Sequence, residues 1–151
     1  MRDIVLVTTG DSEVRKEIMR RFRNPAVVDC GQGRRNVMEV LEQLAEEGIG
    51  VLLTYRCPYL IPEDIFSKAC RGAYNIHPSL LPDYPGLNPW PKIFEDKVRH
   101  SGVTLHRLSP MADSGEIVAT AAFTIGPGDT LETARHEADI AAHNLIIKHL
   151  L

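Results

Sequence analysis

Two side chains able to donate hydrogen bonds, Asn75 and His77, stand two residues apart at the end of an apparent strand, directly before Pro78. Residues i and i+2 of a strand point to the same face of a sheet. Because Pro78 has no backbone N–H and ends regular pairing, the two side chains should project together from a fixed backbone. An amide and an imidazolium aimed at one point can stabilise the negative oxygen that forms on a carbonyl during acyl transfer.

These two residues belong to a longer pattern. Residues 75–82 read Asn-Ile-His-Pro-Ser-Leu-Leu-Pro, and residues 84–86 read Tyr-Pro-Gly. Residues 101–106 then read Ser-Gly-Val-Thr-Leu-His, and residues 113–117 read Asp-Ser-Gly-Glu-Ile. In this order the blocks resemble the signature of the formyltransferases that use 10-formyltetrahydrofolate, over about residues 50–135. The blocks indicate the family and say less about the substrate.

The resemblance implies a catalytic role for Asn75, His77 and Asp113. In formyl transfer a neutral amine attacks the formyl carbon, and the carbonyl oxygen becomes an oxyanion. Asn75 and His77 would donate hydrogen bonds to that oxygen. Asp113 would favour the charged imidazolium and assist the departure of the amine proton. Such a reaction needs no covalent intermediate and therefore no nucleophilic side chain.

The resemblance also implies 10-formyltetrahydrofolate as the formyl-donor co-substrate, without a metal. In the family the pterin ring is held largely by backbone groups of two loops, which here are residues 55–61 and 109–112. The candidate cofactor-binding residues are Tyr55, Arg56, Tyr59, Leu60, Ser109 and Met111. Tyr59 and Leu60 fit a core position equally well, and Arg56 fits either the glutamate tail of folate or a surface salt bridge.

The expected acceptor is the amine of a small molecule such as glycinamide ribonucleotide or an amino sugar. After the first strand, where glycinamide ribonucleotide formyltransferases carry a phosphate loop, Asp11 and Glu13 would repel a phosphate, although the amides at the start of the helix could attract it. Where that subfamily has an acid in its last helix, residues 140–142 of this chain read Ile-Ala-Ala. Trp90 could flank the acceptor or pack beneath its loop, and His106 could serve the site or the core.

Two other functions fit the same residues. One is a formyltetrahydrofolate hydrolase, which passes the formyl group to water, and the other is a non-catalytic folate-binding protein. The chain is shorter than the catalytic domain usual in this family, and the shortening falls before residue 50, in the half that helps to bind the acceptor. Formate release without an amine would identify the hydrolase, and folate binding without turnover would identify the binding protein.

Apolar runs that alternate with helical patterns predict the elements that position these residues. Strands are predicted at residues 4–7, 26–28, 51–54, around 74–77, 103–108 and 117–123. Helices are predicted after Asp11 or Ser12, after an Asn36 cap, from Pro62 to near Ala69, and after Asp129-Thr130, with residues 31–35 as a loop. The last helix should bury Leu131, Ala134, Ala138, Ala141 and Leu145 on one face.

This alternation predicts an α/β fold: an open, mostly parallel Rossmann-like sheet with helices on both faces, which is also the formyltransferase fold. The last two strands should add a mixed edge to the sheet. In such sheets the sites lie at the carboxyl ends of the strands. The strand ends at Gly10, at Tyr55-Arg56 and at Asn75–His77 should therefore converge on one cleft.

Length and composition set the remaining expectations. A chain of 151 residues predicts one formyltransferase-like domain over residues 1–151. The formal charge of −3 gives no reason to expect a nucleic acid partner, and no apolar run predicts a membrane span. Three cysteines without metal-ligand spacing favour reduced thiols in the cytoplasm. A short domain could dimerise to cover apolar surface, so a homodimer is possible.

Overall fold

The computed structural model describes residues 1–151 and contains one six-stranded sheet, in the order β2-β1-β3-β4-β5-β6. The strands are β1 (Arg2–Thr8), β2 (Pro25–Asp29), β3 (Ile49–Tyr55), β4 (Ala73–His77), β5 (His100–Arg107) and β6 (Ile117–Thr124). The helices are α1 (Glu13–Arg21), α2 (Arg34–Glu47), α3 (Glu63–Phe66), α4 (Trp90–Glu95) and α5 (Leu131–His149). The first four strands are parallel, whereas β5 runs antiparallel to β4 and β6. The predicted α/β class with a mixed edge is confirmed.

The central strands are buried on both faces. In β1, Ile4 and Leu6 point into the core beneath α1 and α5, whereas Val5 and Val7 point into the core beneath α2 and α3. A strand covered on both sides reads as a continuous apolar run, which is why these strands are visible in the sequence. Each fully buried side chain of this size contributes about 1.5–3 kcal/mol of hydrophobic stabilisation.

The first two helices begin in different ways. Ser12 caps α1, and its Oγ accepts a hydrogen bond of 3.0 Å from the backbone N–H of Arg15. The predicted Asn36 cap of α2 is wrong, because α2 begins at Arg34, directly after Gly33. Gly33 has a φ of +90°, a conformation that glycine adopts without steric cost, and so no side-chain cap marks this start. The predicted loop at residues 31–35 is instead a short 3₁₀ turn, Cys30–Gln32, followed by helix.

Two short helices differ from the sequence prediction. The predicted helix from Pro62 ends at Phe66 rather than near Ala69. Helix α4 was not among the predicted helices, and it follows Pro89 and contains Pro91. Proline is tolerated in the first helical turn, where its missing N–H has no partner to lose, and the helix buries Trp90 and Ile93.

The long helix α5 begins after Asp129-Thr130, as predicted, and opens with a reciprocal capping interaction between Thr130 and Thr133. Ala134, Ala138, Ala141 and Leu145 lie on its buried face, as expected, but Leu131 does not. Leu131 is 45 % exposed because it is the first residue of the helix. None of the helices has both the length and the apolar character needed to cross a membrane.

Strand β6 forms one edge of the sheet and pairs only with β5. Its alternate residues Ala119, Ala121 and Phe123 pack against the core, while Val118 and Thr120 face outward. The loop between β5 and β6 carries Asp113 and returns toward the end of β4. The antiparallel edge therefore brings this loop beside the segment that contains Asn75 and His77.

Candidate active site

A cleft of about 660 Å³ lies at the carboxyl ends of the parallel strands. Thr9 lines it beyond β1, Tyr55 and Arg56 line it at the end of β3, and His77 lines it at the end of β4. The predicted convergence of three strand ends is confirmed, with Thr9 rather than Gly10 at the wall. A cleft of this size is typical of small-molecule sites.

The register of the sheet places three polar side chains in a row across neighbouring strands. Thr54 of β3 pairs with Asn75 of β4, and Asn75 pairs with His106 of β5. Thr54 Oγ1 donates to Asn75 Oδ1 at 2.8 Å, and Asn75 Nδ2 lies 3.0 Å from His106 Nε2. Each end of the Asn75 amide therefore has its own partner, and these partners fix the orientation of the amide.

His106 acts in this row as a neutral acceptor. Its Nδ1 lies 2.9 Å from the backbone carbonyl of Arg107, which can only accept, so Nδ1 carries the proton and Nε2 accepts from Asn75. Burial lowers the pKa of His106, which favours this neutral form. The second N–H of the Asn75 amide has no partner in the protein, and it is available to a ligand in the cleft.

His77 is held at both ring nitrogens. Its Nε2 lies 2.8 Å from the backbone carbonyl of Tyr84, and its Nδ1 lies 3.4 Å from Asp113 Oδ1. Since the carbonyl can only accept, Nε2 carries a proton, and Nδ1 faces the Asp113 carboxylate. The ring is 3 % exposed, so an imidazolium at this position places its charge in a largely dry wall of the cleft.

Asp113 links the two loops above His77. Its Oδ2 accepts a hydrogen bond of 2.7 Å from the backbone N–H of Gly86, and its Oδ1 lies 4.0 Å from His106 Nε2. Asp113 has a φ of +55°, which is unusual for a residue with a side chain but tolerated by aspartate. Residues that are held in rare backbone conformations cluster at functional sites. The structure thus brings Asn75, His77 and Asp113 together, and their catalytic roles stay predictions.

The backbone between His77 and the next loop is fixed by two hydroxyls. Ser79 Oγ donates to the backbone carbonyl of Asp83 at 2.6 Å, as expected for a residue that orders this loop. Thr104 Oγ1 donates to the carbonyl of Ser79 at 2.7 Å and accepts from the N–H of Leu81 at 3.0 Å. Both residues are buried, so water does not compete for these hydrogen bonds and the segment after His77 is anchored to β5.

The candidate cofactor-binding residues share one property, since all of them line the cleft: Tyr55, Arg56, Tyr59, Leu60, Ser109 and Met111. Leu60 and Met111 are 62 % and 73 % exposed, so Leu60 is a surface residue of the cleft and not a core residue. Arg56 lies 5.0 Å above the ring of Tyr55. Exposed apolar side chains beside a cleft form a wall against which a flat heterocycle can pack.

Sequence reasoning did not identify Thr54 as part of the site, and it left the roles of His106 and Trp90 open. Thr54 sits in the continuous apolar run of β3, and only the register with β4 reveals that it orients Asn75. His106 belongs to the site, because it pins Asn75 from the opposite strand. Trp90 is 5 % exposed and belongs to the core, and it also lines the cleft, so its contact with an acceptor stays a prediction.

Solved structures share this fold. The phosphoribosylglycinamide formyltransferase from Bacillus halodurans is 22% identical, with a TM-score of 0.77 over 95% of this chain and 91% of that one. The enzyme of the same name from Streptococcus pneumoniae is 18% identical, with a TM-score of 0.78 over 99% of both chains. A formyltetrahydrofolate deformylase from Pseudomonas syringae is 16% identical, with a TM-score of 0.82 over 99% of this chain and 60% of that one.

At these identities the structural likeness concerns the fold alone. The sequence itself matches the model of a protein family described as formyl transferase, over residues 3–150. That match spans the whole cleft, including the row of Thr54, Asn75 and His106 and the loop of Asp113. The chain belongs to the formyl transferase family.

Proposed function

We propose that this chain transfers the formyl group of 10-formyltetrahydrofolate to the amine of a small acceptor, such as glycinamide ribonucleotide or an amino sugar. The observation that carries the proposal is the cluster of Asn75, His77 and Asp113 at the cleft, in which Asp113 Oδ1 lies 3.4 Å from His77 Nδ1. Membership of the formyl transferase family supports the same reaction class.

The reaction begins when the lone pair of the acceptor amine attacks the formyl carbon and a carbon–nitrogen bond forms. The electrons of the carbonyl move to its oxygen, where the free N–H of Asn75 donates a hydrogen bond. In the proposal His77 takes part as the imidazolium, whose charge in the same wall of the cleft stabilises this oxyanion electrostatically. A donor that is fixed in advance needs no reorganisation when the charge develops. Thr54 and His106 contribute to catalysis in this way, because they fix the amide of Asn75.

The attacking amine must then lose a proton. Asp113 is the acceptor in this proposal, directly or through a water, and the proton that it shares with His77 Nδ1 shifts in response. As the carbonyl re-forms, the bond between the formyl carbon and the donor nitrogen breaks, and the donor nitrogen takes up the proton that the amine released. The products are the formylated amine and tetrahydrofolate, and no covalent enzyme intermediate forms.

In the proposal the folate lies between the loops at residues 55–61 and 109–112, against Leu60 and Met111. Backbone groups of these loops meet the polar edges of the pterin, and the apolar side chains cover its face. The second loop is ordered by Ser109 and Ser114, whose hydroxyls both donate to the carbonyl of Met111 at 2.7 Å. A loop that is ordered before the ligand arrives loses less entropy on binding.

The test is an assay with purified protein, 10-formyltetrahydrofolate and a panel of small amines, with mass spectrometry of the amines and measurement of tetrahydrofolate. A formylated amine together with stoichiometric tetrahydrofolate is the expected result. Formate release at the same rate with and without amine would replace the proposal with a hydrolase. Binding of a stable folate analogue without any turnover would replace it with a folate-binding protein.

A further inference from the structure

The amino-terminal end of α1 opens beside the cleft, one turn of chain beyond Thr9. The first backbone N–H groups of a helix have no partner within the helix and carry a partial positive charge. In α/β folds such an end, placed after a buried strand, is a ready-made position for a phosphate group. What occupies it here therefore bears on which molecules the cleft accepts.

In this chain a carboxylate of the protein itself occupies that position. Asp139, on α5, accepts a hydrogen bond of 2.7 Å from the backbone N–H of Glu13, the first residue of α1. Its other oxygen accepts a bond of 2.9 Å from the hydroxyl of Tyr55, a residue that lines the cleft. Asp139 is 5 % exposed, so both oxygens are held in place and their charge is poorly screened by solvent.

Two more amides near the start of α1 are also satisfied from within. The N–H of Arg15 donates to Ser12 Oγ, and the N–H of Lys16 donates to the carbonyl of Ser12. The carboxylate of Asp11 is exposed and that of Glu13 is half-exposed at the same end. This terminus therefore presents negative charge to the solvent where a phosphate group would need donors.

The nearby cations do not restore an anion site. Arg56 lies 4.0 Å from Asp139, and its Nη1 donates to the carbonyl of Asp11 at 3.5 Å. Lys16 lies 3.3 Å from the carboxylate of Glu13. Arg135 lines the cleft without an ion pair, but it is exposed, and a single exposed guanidinium attracts an anion only weakly.

We propose that Asp139 determines acceptor specificity by filling the anion-binding end of α1 from inside, so that the acceptor is a small amine without a phosphate group. This inference rests on the proposed formyl transfer and narrows its acceptor class. A phosphate brought to this end meets a buried carboxylate that already holds the first amide of the helix. Excluding a ligand by an unfavourable like charge is an established route to specificity.

The first experiment measures the binding of phosphate and does not require turnover. The backbone amide of Glu13 is followed by NMR while inorganic phosphate is added to the wild type, to Asp139→Asn, to Asp139→Ser and to Glu17→Gln. Glu17 is the matched control, because it is also a buried acid that joins α1 to α5, through His143, but it accepts no hydrogen bond from the amino-terminal amides of α1. Phosphate should move the Glu13 resonance in Asp139→Ser and leave it unmoved in the wild type and in Glu17→Gln.

Movement of this resonance in the wild type at the same phosphate concentration would overturn the proposal. A resonance that stays unmoved in a folded Asp139→Ser would overturn the assignment to Asp139. Asp139→Asn keeps the shape and an acceptor oxygen and removes the charge, so it provides a folded variant even if the serine variant is unstable. It should respond to phosphate more than the wild type does, and no response would count against the role of charge.

The second experiment compares glucosamine with glucosamine 6-phosphate as acceptors, which differ only in the phosphate. The wild type should favour the unphosphorylated amine in kcat/KM, and Asp139→Asn should shift that ratio by about tenfold toward the phosphorylated one. A wild-type preference for the phosphorylated amine would overturn the proposal. If neither amine is formylated by any variant, the proposed function loses support, and the phosphate titration decides the role of Asp139 by itself.

Discussion

Asn75 illustrates how one side chain depends on its neighbours across the sheet. A threonine donates to its amide oxygen and a neutral histidine accepts from its amide nitrogen, so Thr54 and His106 together fix the orientation of Asn75. Sequence alone marked Asn75 and His77, because they lie two residues apart on a short strand. It could not reveal their partners, which come from strands 21 and 31 residues away along the chain.

Replacing Asn75 removes the donor proposed for the oxyanion. Asn75→Ala should lower kcat by about 10²–10³-fold, the usual cost of losing one such donor, with a smaller change in KM. Steady-state formyl transfer measures both constants. The matched control is Asn144→Ala, since Asn144 is exposed on α5 and does not line the cleft. Near-normal turnover in Asn75→Ala would remove Asn75 from the mechanism.

His106 makes stability depend on pH. Burial lowers the pKa of His106 below the ordinary value of 6.5, so the folded state binds this proton less readily than the unfolded state. Its contribution to stability is therefore complete above that ordinary value and is lost as the pH falls below it. Urea unfolding from about pH 7.5 to about pH 5 should show this decline in the free energy of unfolding.

The decline should be shallower in His106→Gln than in the wild type, because glutamine does not titrate. His136→Gln, which changes an exposed histidine, should keep the wild-type slope. Identical slopes in His106→Gln and the wild type would show that another group causes the decline.

At the scale of elements, two loops must meet above β4 to complete the cluster. The segment after His77 is tied down by Ser79 and Thr104, and the loop between β5 and β6 reaches back through Asp113. The only direct hydrogen bond from the first loop to the Asp113 carboxylate comes from the N–H of Gly86. Gly86 has a φ of +103°, where any side chain is strained.

Gly86→Ala should therefore disturb this junction although there is open space around the site of the new methyl group. The strain should cost about 1–2 kcal/mol of stability and should shift the N–H away from Asp113, lowering kcat more than it raises KM. Thermal unfolding and steady-state kinetics test both effects. Gly128→Ala is the matched control, because Gly128 also has open space and is not in the left-handed region. Equal effects of the two substitutions would contradict this assignment.

The sequence predicted well those elements that are set by burial or by a capping side chain, since residue types reveal both. The buried strands appear as apolar runs because helices cover both faces of the sheet. Thr130 caps α5 through its hydroxyl, and threonine is a residue type that favours this position. The start of α2 was misplaced because Gly33 sets it by backbone conformation, without a capping side chain. Helix α4 was missed because its stability comes from burying Trp90 and Ile93, a tertiary effect that overrides two prolines.

At the scale of the whole molecule, the cleft unites segments from both halves of the chain. Thr9 and Tyr55 come from the first half, whereas His106 and Met111 come from the second. The sequence predicted this convergence, because the carboxyl ends of parallel strands share one edge of the sheet. It could not predict that the anion position at α1 is filled by Asp139, since that contact joins residues 126 positions apart.

A stable analogue of 10-formyltetrahydrofolate should raise the thermal midpoint of the whole protein. A ligand that binds only the folded state stabilises it by about 2.7 kcal/mol at a hundred times its Kd. Met111→Ser should weaken this stabilisation, because Met111 is exposed at the cleft where the pterin face is proposed to pack. Thermal unfolding with increasing analogue gives the Kd of each protein.

The control for this measurement is Met19→Ser, which changes a methionine that is 54 % exposed on α1 and does not line the cleft. Its thermal midpoint should rise with the analogue as that of the wild type does. A midpoint that no concentration of analogue moves, in any of the three proteins, would argue that the cleft does not bind folate.

The two edges of the sheet are unequal, and this affects how the protein behaves when concentrated. The β2 edge is short and begins with Pro25, whereas β6 is eight residues long, contains no charged residue and leaves one row of backbone groups unpaired. Such an edge can template another strand. Any fibrous aggregate should therefore grow from the β6 edge. Val118→Lys places a charge on the outward face of β6 and should raise solubility without disturbing the β2 edge.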